Sequence, residues 1–285
     1  MKARTIRKVI FFGIAALLVT ACSMRRVVLD NYRWFATRLA VSYLDLSSSE
    51  KAIFQTALEA YVKKFQAKYL KETISVVESV AVASNPIPIF ERLEAQLRRA
   101  SMDACTDFAP LAAGLDPDQI ERLRGKLSER DEKFDPDANG GVGALRKKQF
   151  HEGREMATRW LGTLTSNQED RLENGGHEND ADGHWERDYM NYRTESQGAF
   201  LRILTDSHGN PSFFEKKCRQ FAENRDQFLS DVGRQTRVRM RDRRNALSLE
   251  LFAQIQPAQR IHLRGEITAL ANDLRAWSEQ IAKQQ

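Results

Sequence analysis

The stretch Leu263-Arg264-Gly265-Glu266-Ile267-Thr268-Ala269-Leu270-Ala271-Asn272-Asp273-Leu274-Arg275-Ala276-Trp277-Ser278-Glu279-Gln280-Ile281 decides the fold. Its apolar members Leu263, Ile267, Leu270, Leu274, Trp277 and Ile281 recur at alternating intervals of four and three. At 3.6 residues per turn these positions fall on one face of a helix, whereas a strand would divide them between two faces. The stretch therefore reads as a long amphipathic helix that buries one stripe.

The same reading extends outward. After Ser47, the residues Phe54, Leu58, Tyr61, Val62, Phe65 and Tyr69 repeat the helical spacing. Between Pro211 and about Ile255 there is no further proline and only Gly233, so one helix is expected there, with Phe214, Cys218, Phe221, Phe228 and Val232 on its buried face. Nothing alternates with a period of two for more than a few residues. Asn85-Pro86-Ile87-Pro88 ends the helix that follows Ser47, because the residue before a proline is pushed out of helical geometry. Polar, glycine-rich segments at 135–141, 173–184 and 207–211 read as loops. Long helices separated by such breakers make an all-α, antiparallel helical bundle.

One short pattern occurs four times: Leu46-Ser47-Ser48-Ser49-Glu50, Leu115-Asp116-Pro117-Asp118-Gln119, Leu164-Thr165-Ser166-Asn167-Gln168 and Ile255-Gln256-Pro257-Ala258-Gln259. Each is an apolar residue, a polar one, and Glu or Gln three places on, which is the capping box of a helix start with its preceding apolar residue. Pro117 and Pro257 fall at the first helical position, where a missing N–H costs nothing. Each good cap contributes about 1 kcal/mol, and Gln256 is the poorest capping residue of the four. Helix initiation alone accounts for every residue in these boxes.

The N-terminus carries an address. Lys2, Arg4, Arg7 and Lys8 precede an apolar run from Val9 to Val19, and Thr20-Ala21-Cys22 follows. A basic start, a short apolar run and small residues make a secretory signal over residues 1–21. The run is too short for a spanning helix, which needs about 20 apolar residues. Residues 1–21 hold four of the 44 Lys and Arg and none of the 39 Asp and Glu, leaving 40 against 39. The basic balance therefore belongs to the targeting segment, and a nucleic-acid partner is not expected. In an oxidising compartment Cys105 and Cys218 could form a disulfide or remain two buried thiols; both readings stay open.

Val19-Thr20-Ala21-Cys22 resembles the lipobox of bacterial lipoproteins. That resemblance implies a diacylglycerol on the Cys22 thiol, cleavage before Cys22, and a lipid-anchored chain. Ser23, rather than Asp, in the next position implies the outer membrane under the sorting rule of enteric bacteria. Cys22-Ser23, Asn31-Tyr32-Arg33-Trp34, Tyr43-Leu44-Asp45-Leu46-Ser47 and the block Arg159-Trp160-Leu161-Gly162-Thr163-Leu164-Thr165-Ser166-Asn167-Gln168 resemble a family of uncharacterised bacterial lipoproteins, a domain of unknown function. This likeness implies an all-helical, lipid-anchored periplasmic protein and brings no catalytic residue. Leu164-Thr165-x-x-Gln168 also resembles the LTxxQ motif of the Spy/CpxP group of periplasmic helical proteins, which includes chaperones and metal-responsive sensors. Against the uncharacterised lipoprotein family, the second box departs, with Asp116 in place of Ser or Thr.

Residues suited to chemistry are sparse. His177 and His184 share a loop with Glu178, Asp180 and Asp182, but their spacing fits no compact metal motif, and a solvated loop is the reading. Asp135, Asp137, Asn139 and Gly140 follow a calcium-loop frame whose twelfth position is Arg146 instead of a bidentate Glu. No nucleophile elbow, phosphate loop, CxxC or HExxH occurs. We therefore expect no catalytic residue, no bound metal and no cofactor. Arg234, Arg237, Arg239, Arg241, Arg243 and Arg244 form a basic helix end, read as a solvated face pairing with nearby acids, with an anionic partner as the alternative.

The expected organisation is a signal peptide at 1–21, a lipidated segment and first helix at 22–45, and a helical bundle at 46–285, divisible into halves at 46–163 and 164–285. The expected function is non-enzymatic: a chaperone-like envelope protein that binds protein clients. A structural lipoprotein scaffolding an envelope complex and a metal-responsive sensor are the alternatives.

Overall fold

The computed structural model describes residues 22–174 and 184–283, and the described residues contain helices and no strand. Helix α1 (Cys22–Asp30) and α2 (Tyr32–Leu44) come first. They are followed by α3 (Ser48–Phe65), a π-helical turn (Gln66–Leu70) and α4 (Lys71–Val80), which form one continuous rod. Next come α5 (Ile87–Asp107), the short α6 (Ala109–Gly114) and α7 (Pro117–Asp131). Then follow α8 (Val142–Leu161), α9 (Ser166–Asn174), α10 (His184–Asp206), α11 (Pro211–Glu223), α12 (Asp231–Ala253) and α13 (Pro257–Lys283).

The apolar stripe of α13 is the inner wall of the bundle. Leu263, Ile267, Leu270, Leu274, Trp277 and Ile281 are each at most 7 % exposed. Burying side chains of this size stabilises the fold by about 1.5–3 kcal/mol apiece. Helix α13 packs on α1, α4 and α8, while α5 packs on α11 and α10 lies between α7 and α12. Gln66 Nε2 donates to Ser278 O at 2.7 Å and Arg260 Nη1 to Ala83 O at 3.1 Å, so α4 and α13 run antiparallel. The π-helical turn interrupts the regular ladder, and the Tyr69 carbonyl there accepts at 2.7 Å from Gln96, a buried amide of α5.

Leu29, Ala40 and Leu44 belong to the same buried cluster as Phe54, Phe214 and Leu270. That cluster has members on both sides of 163/164, and α5 packs on α11. One expectation needs correction. The helix expected from Pro211 to Ile255 is two helices. Asn224 leaves helical geometry, a 3-10 turn covers Arg225–Phe228, and Ser230 starts α12. Phe214, Cys218 and Phe221 are buried as expected and Phe228 packs edge-on against Phe221 at 5.4 Å, but Val232 is 58 % exposed.

Candidate functional site

The four boxes meet in two pairs. In the first, Ser47 caps α3 and Asp116 caps α7, both as complete capping boxes. The Glu50 carboxylate accepts from Ser47 N at 2.8 Å and Ser47 Oγ at 2.7 Å, and Gln119 Nε2 donates to it across the gap at 3.0 Å. Burial pushes the Glu50 carboxyl up, but the hydrogen bonds from Ser47 and Gln119 outweigh it and hold the group below the usual carboxylate range.

In the second pair, Gln168 and Gln259 form a reciprocal amide ring. Gln259 Nε2 donates to Gln168 Oε1 at 2.8 Å, and Gln168 Nε2 donates to Gln259 Oε1 at 3.0 Å. Each oxygen also accepts a backbone N–H of its own box, from Thr165 and from Gln256, both at 3.0 Å. Each nitrogen makes one more bond, Gln168 to Gln254 O at 3.3 Å and Gln259 to Thr163 O at 2.7 Å. Both amides are thus fully satisfied at 0 % and 5 % exposure. The backbone N–H groups decide which way each amide faces. Gln256 supplies no side-chain cap to its own helix; its Nε2 donates instead to Gln254 O at 3.1 Å.

The residues before this pair explain the Trp-Leu-Gly-x-Leu-Thr-x-x-Gln block. Gly162 ends α8 with φ 76° and ψ −143°, a conformation suited only to glycine. A Cβ there would lie 3.4 Å from the His262 ring, whose Nε2 is 2.9 Å from Arg159 O. The chain then turns so that Thr163 O reaches Gln259, and Thr165 opens α9.

A fifth helix start escaped the sequence pattern because its third position is Gly233. At Ser230, the carboxylate comes from another helix: Glu195 of α10 accepts from Ser230 N and, at 3.1 Å, from Ser230 Oγ. A Cβ on residue 233 would collide with Glu195 Oε2, so the glycine makes room for this borrowed carboxylate. Leu229-Ser230-x-x-Gly233 was the available signal; the distant partner was not.

Cys105 of α5 and Cys218 of α11 are joined by a disulfide with Cα atoms 5.6 Å apart, bridging a separation of 113 residues. Around it Thr106 donates to Glu215 at 2.8 Å, and Lys64 pairs with Asp107 at 2.6 Å. Cys22 opens α1, and the residues before it lie outside the described residues.

The other sequence candidates have mundane settings. His177 lies outside the described residues, and among those described no group of three or more metal-ligating side chains occurs. In the calcium-like frame, Asp135 accepts from Asp137 N at 2.9 Å and Lys148 Nζ donates to Asn139 at 2.8 Å. Arg146 makes a two-pronged pair with Glu186, at 2.8 and 2.9 Å. The arginine run is knitted into its surroundings: Arg234 to Asp231, Arg237 to Asp226, Arg239 to Asp188 at 2.5 Å, and Arg244 to Glu94 at 2.6 Å. Arg243 stacks 4.5 Å from the Trp185 ring.

No curated protein and no solved structure matches the chain. A family match covers residues 42–234, which include three of the four boxes, Ser230 and both bridged cysteines; Gln259, the partner of Gln168, lies beyond it. The chain belongs to the family of unknown function DUF6279.

Proposed function

We propose that the chain is a lipid-anchored protein on the periplasmic face of a bacterial outer membrane, where it binds other proteins in a chaperone-like manner without a catalytic step. The observation that supports client binding is the thin burial of α8 and α12. In α8, with 20 residues, only Leu145 and Leu161 are buried; in α12, with 23, only Gly233 and Thr236 are. Ion pairs tie both to α9, Arg154 to Glu169 and Arg171 Nε to Glu250, each at 2.6 Å. Met156, Val238 and Leu249 stand 41–44 % exposed on these helices. Apolar side chains on a layer held by screened surface pairs suit contact with partly unfolded clients and require no nucleotide.

The test is aggregation of an unfolded client with and without the mature chain. Suppression at stoichiometric amounts, weakened by Met156→Glu with Leu249→Glu, is expected. No suppression overturns the client-binding reading. Crosslinking to a single envelope protein instead of many would favour the scaffold alternative.

A further inference from the structure

We propose that the outward face of α1 and α2 lies flat against an anionic bilayer surface, oriented by the lipid on Cys22; this rests on the lipid-anchor reading above. The first observation is rigidity. Arg25 of α1 is 0 % exposed and its guanidinium lies 3.4 Å from both Glu266 and Asp273 of α13. Leu29 enters the core, and Tyr32 packs edge-on against Trp277 at 5.9 Å. The helix that begins at Cys22 is therefore clamped to the body, with no slack tether between them.

The second observation is what this clamped pair leaves outside. Asn31 leaves helical dihedrals (φ −115°, ψ 26°), but its N–H bonds to Val27 O and that of Phe35 to Asn31 O, both at 3.1 Å, so the two helices follow one another with little change of direction. Val27 and Trp34, two turns apart, are 49 % and 54 % exposed. Arg38, one turn further, lies 5.4 Å from the Trp34 ring centroid. Arg26 and Arg33, also two turns apart, are 42 % and 50 % exposed and pair with Asp30 and Glu59. The inner face is the opposite in character, with Leu39 and Ala40 buried.

Trp34 thus belongs to the Asn-Tyr-Arg-Trp block yet takes little part in packing, whereas Tyr32 of the same block serves the core. Exposed tryptophan beside arginine suits the headgroup region, where the ring sits at the apolar boundary and the cation meets phosphate. At 1.5 Å per residue, Val27 and Trp34 lie about 8 and 18 Å along the helices from Cys22. Acyl chains on Cys22 would hold this face within reach of the membrane.

The experiment uses the mature chain beginning at Cys22, whose other cysteines are bridged. Its Cys22 thiol is coupled to a maleimide lipid in phosphatidylglycerol vesicles carrying brominated acyl chains. Bromine quenching of tryptophan fluorescence is expected, falling by more than half in Trp34→Phe. Arg26→Glu with Arg38→Glu, or vesicles without anionic lipid, should reduce it about twofold. Equal quenching in Trp34→Phe, or none in the parent, overturns the proposal and leaves the face to a protein partner. Mass spectrometry of the protein purified from bacterial membranes tests the anchor reading separately, because an unacylated Cys22 defeats that reading without affecting the coupled-vesicle result. Circular dichroism of each variant confirms that it is folded.

Discussion

The two pairs of helix starts solve one problem in two media. Glu50 and Gln119 meet where one partner is half-exposed, and a carboxylate can serve because water and Ser47 share its charge. Gln168 and Gln259 meet in the interior, where a charge would be costly and a neutral amide can both donate and accept. The difference teaches that Glu and Gln, interchangeable in a capping box, cease to be so once the box joins the core. The outer pair is a local cap with one added contact. The inner pair is a closed network that ties the starts of α9 and α13 to the segments leaving α8 and α12.

Breaking the inner pair should have the largest effect. Gln168→Glu removes two donated hydrogen bonds and sets a carboxylate against Gln254 O and Gln259 Oε1, so we expect a loss of about 3 kcal/mol or more in urea unfolding at neutral pH. The introduced carboxyl has a raised pKa in the folded state. Part of the loss should therefore return as pH falls through that value, and a loss independent of pH would contradict the burial argument. Gly162→Ala comes next. It forces a side chain into a backbone conformation reserved for glycine and against His262, at about 2 kcal/mol by thermal unfolding.

A smaller change should work in the opposite direction. Gln256→Ser supplies the side-chain cap that the fourth box lacks while leaving Gln259 in place, and should stabilise the chain by about 0.5–1 kcal/mol. An unchanged midpoint would mean that the bond from Gln256 to Gln254 O already compensates. The smallest effect is expected of Glu50→Gln, within about 0.5 kcal/mol at neutral pH. The folded-state pKa of Glu50 is lowered, so its contribution is present above the unfolded value of about 4.3 and is lost as pH falls through the folded value. Unfolding curves across that acid window should flatten in Glu50→Gln. If they do not, the outer pair owes nothing to its charge.

Much of this was legible in the chain because helix signals are local. The stop expected at Asn85-Pro86 comes earlier, since α4 ends at Val80 and Pro86 leads into α5, but the stripe of α13 and the caps at Ser47, Asp116 and Thr165 depend on neighbours within a turn or two. Phe214, Cys218 and Phe221 were read correctly for the same reason. The reading failed beyond them: Val232 continues the spacing, but Ser230 begins a new helix, and its carboxylate arrives from Glu195, 35 positions away. The clamp of Arg25 between Glu266 and Asp273 was equally invisible, since an arginine three residues past Cys22 reads as solvated.

The sequence by itself determined that the chain is helical and where several of its helices begin. Periodicity and capping act over short distances and leave a trace in adjacent residues. Only the tertiary structure decided that the four boxes meet as two unlike pairs, that one core spans the segments, and that Trp34 faces outward from a clamped helix. Those outcomes depend on which surfaces meet across 69, 91 and 241 residues, and no local pattern encodes that choice.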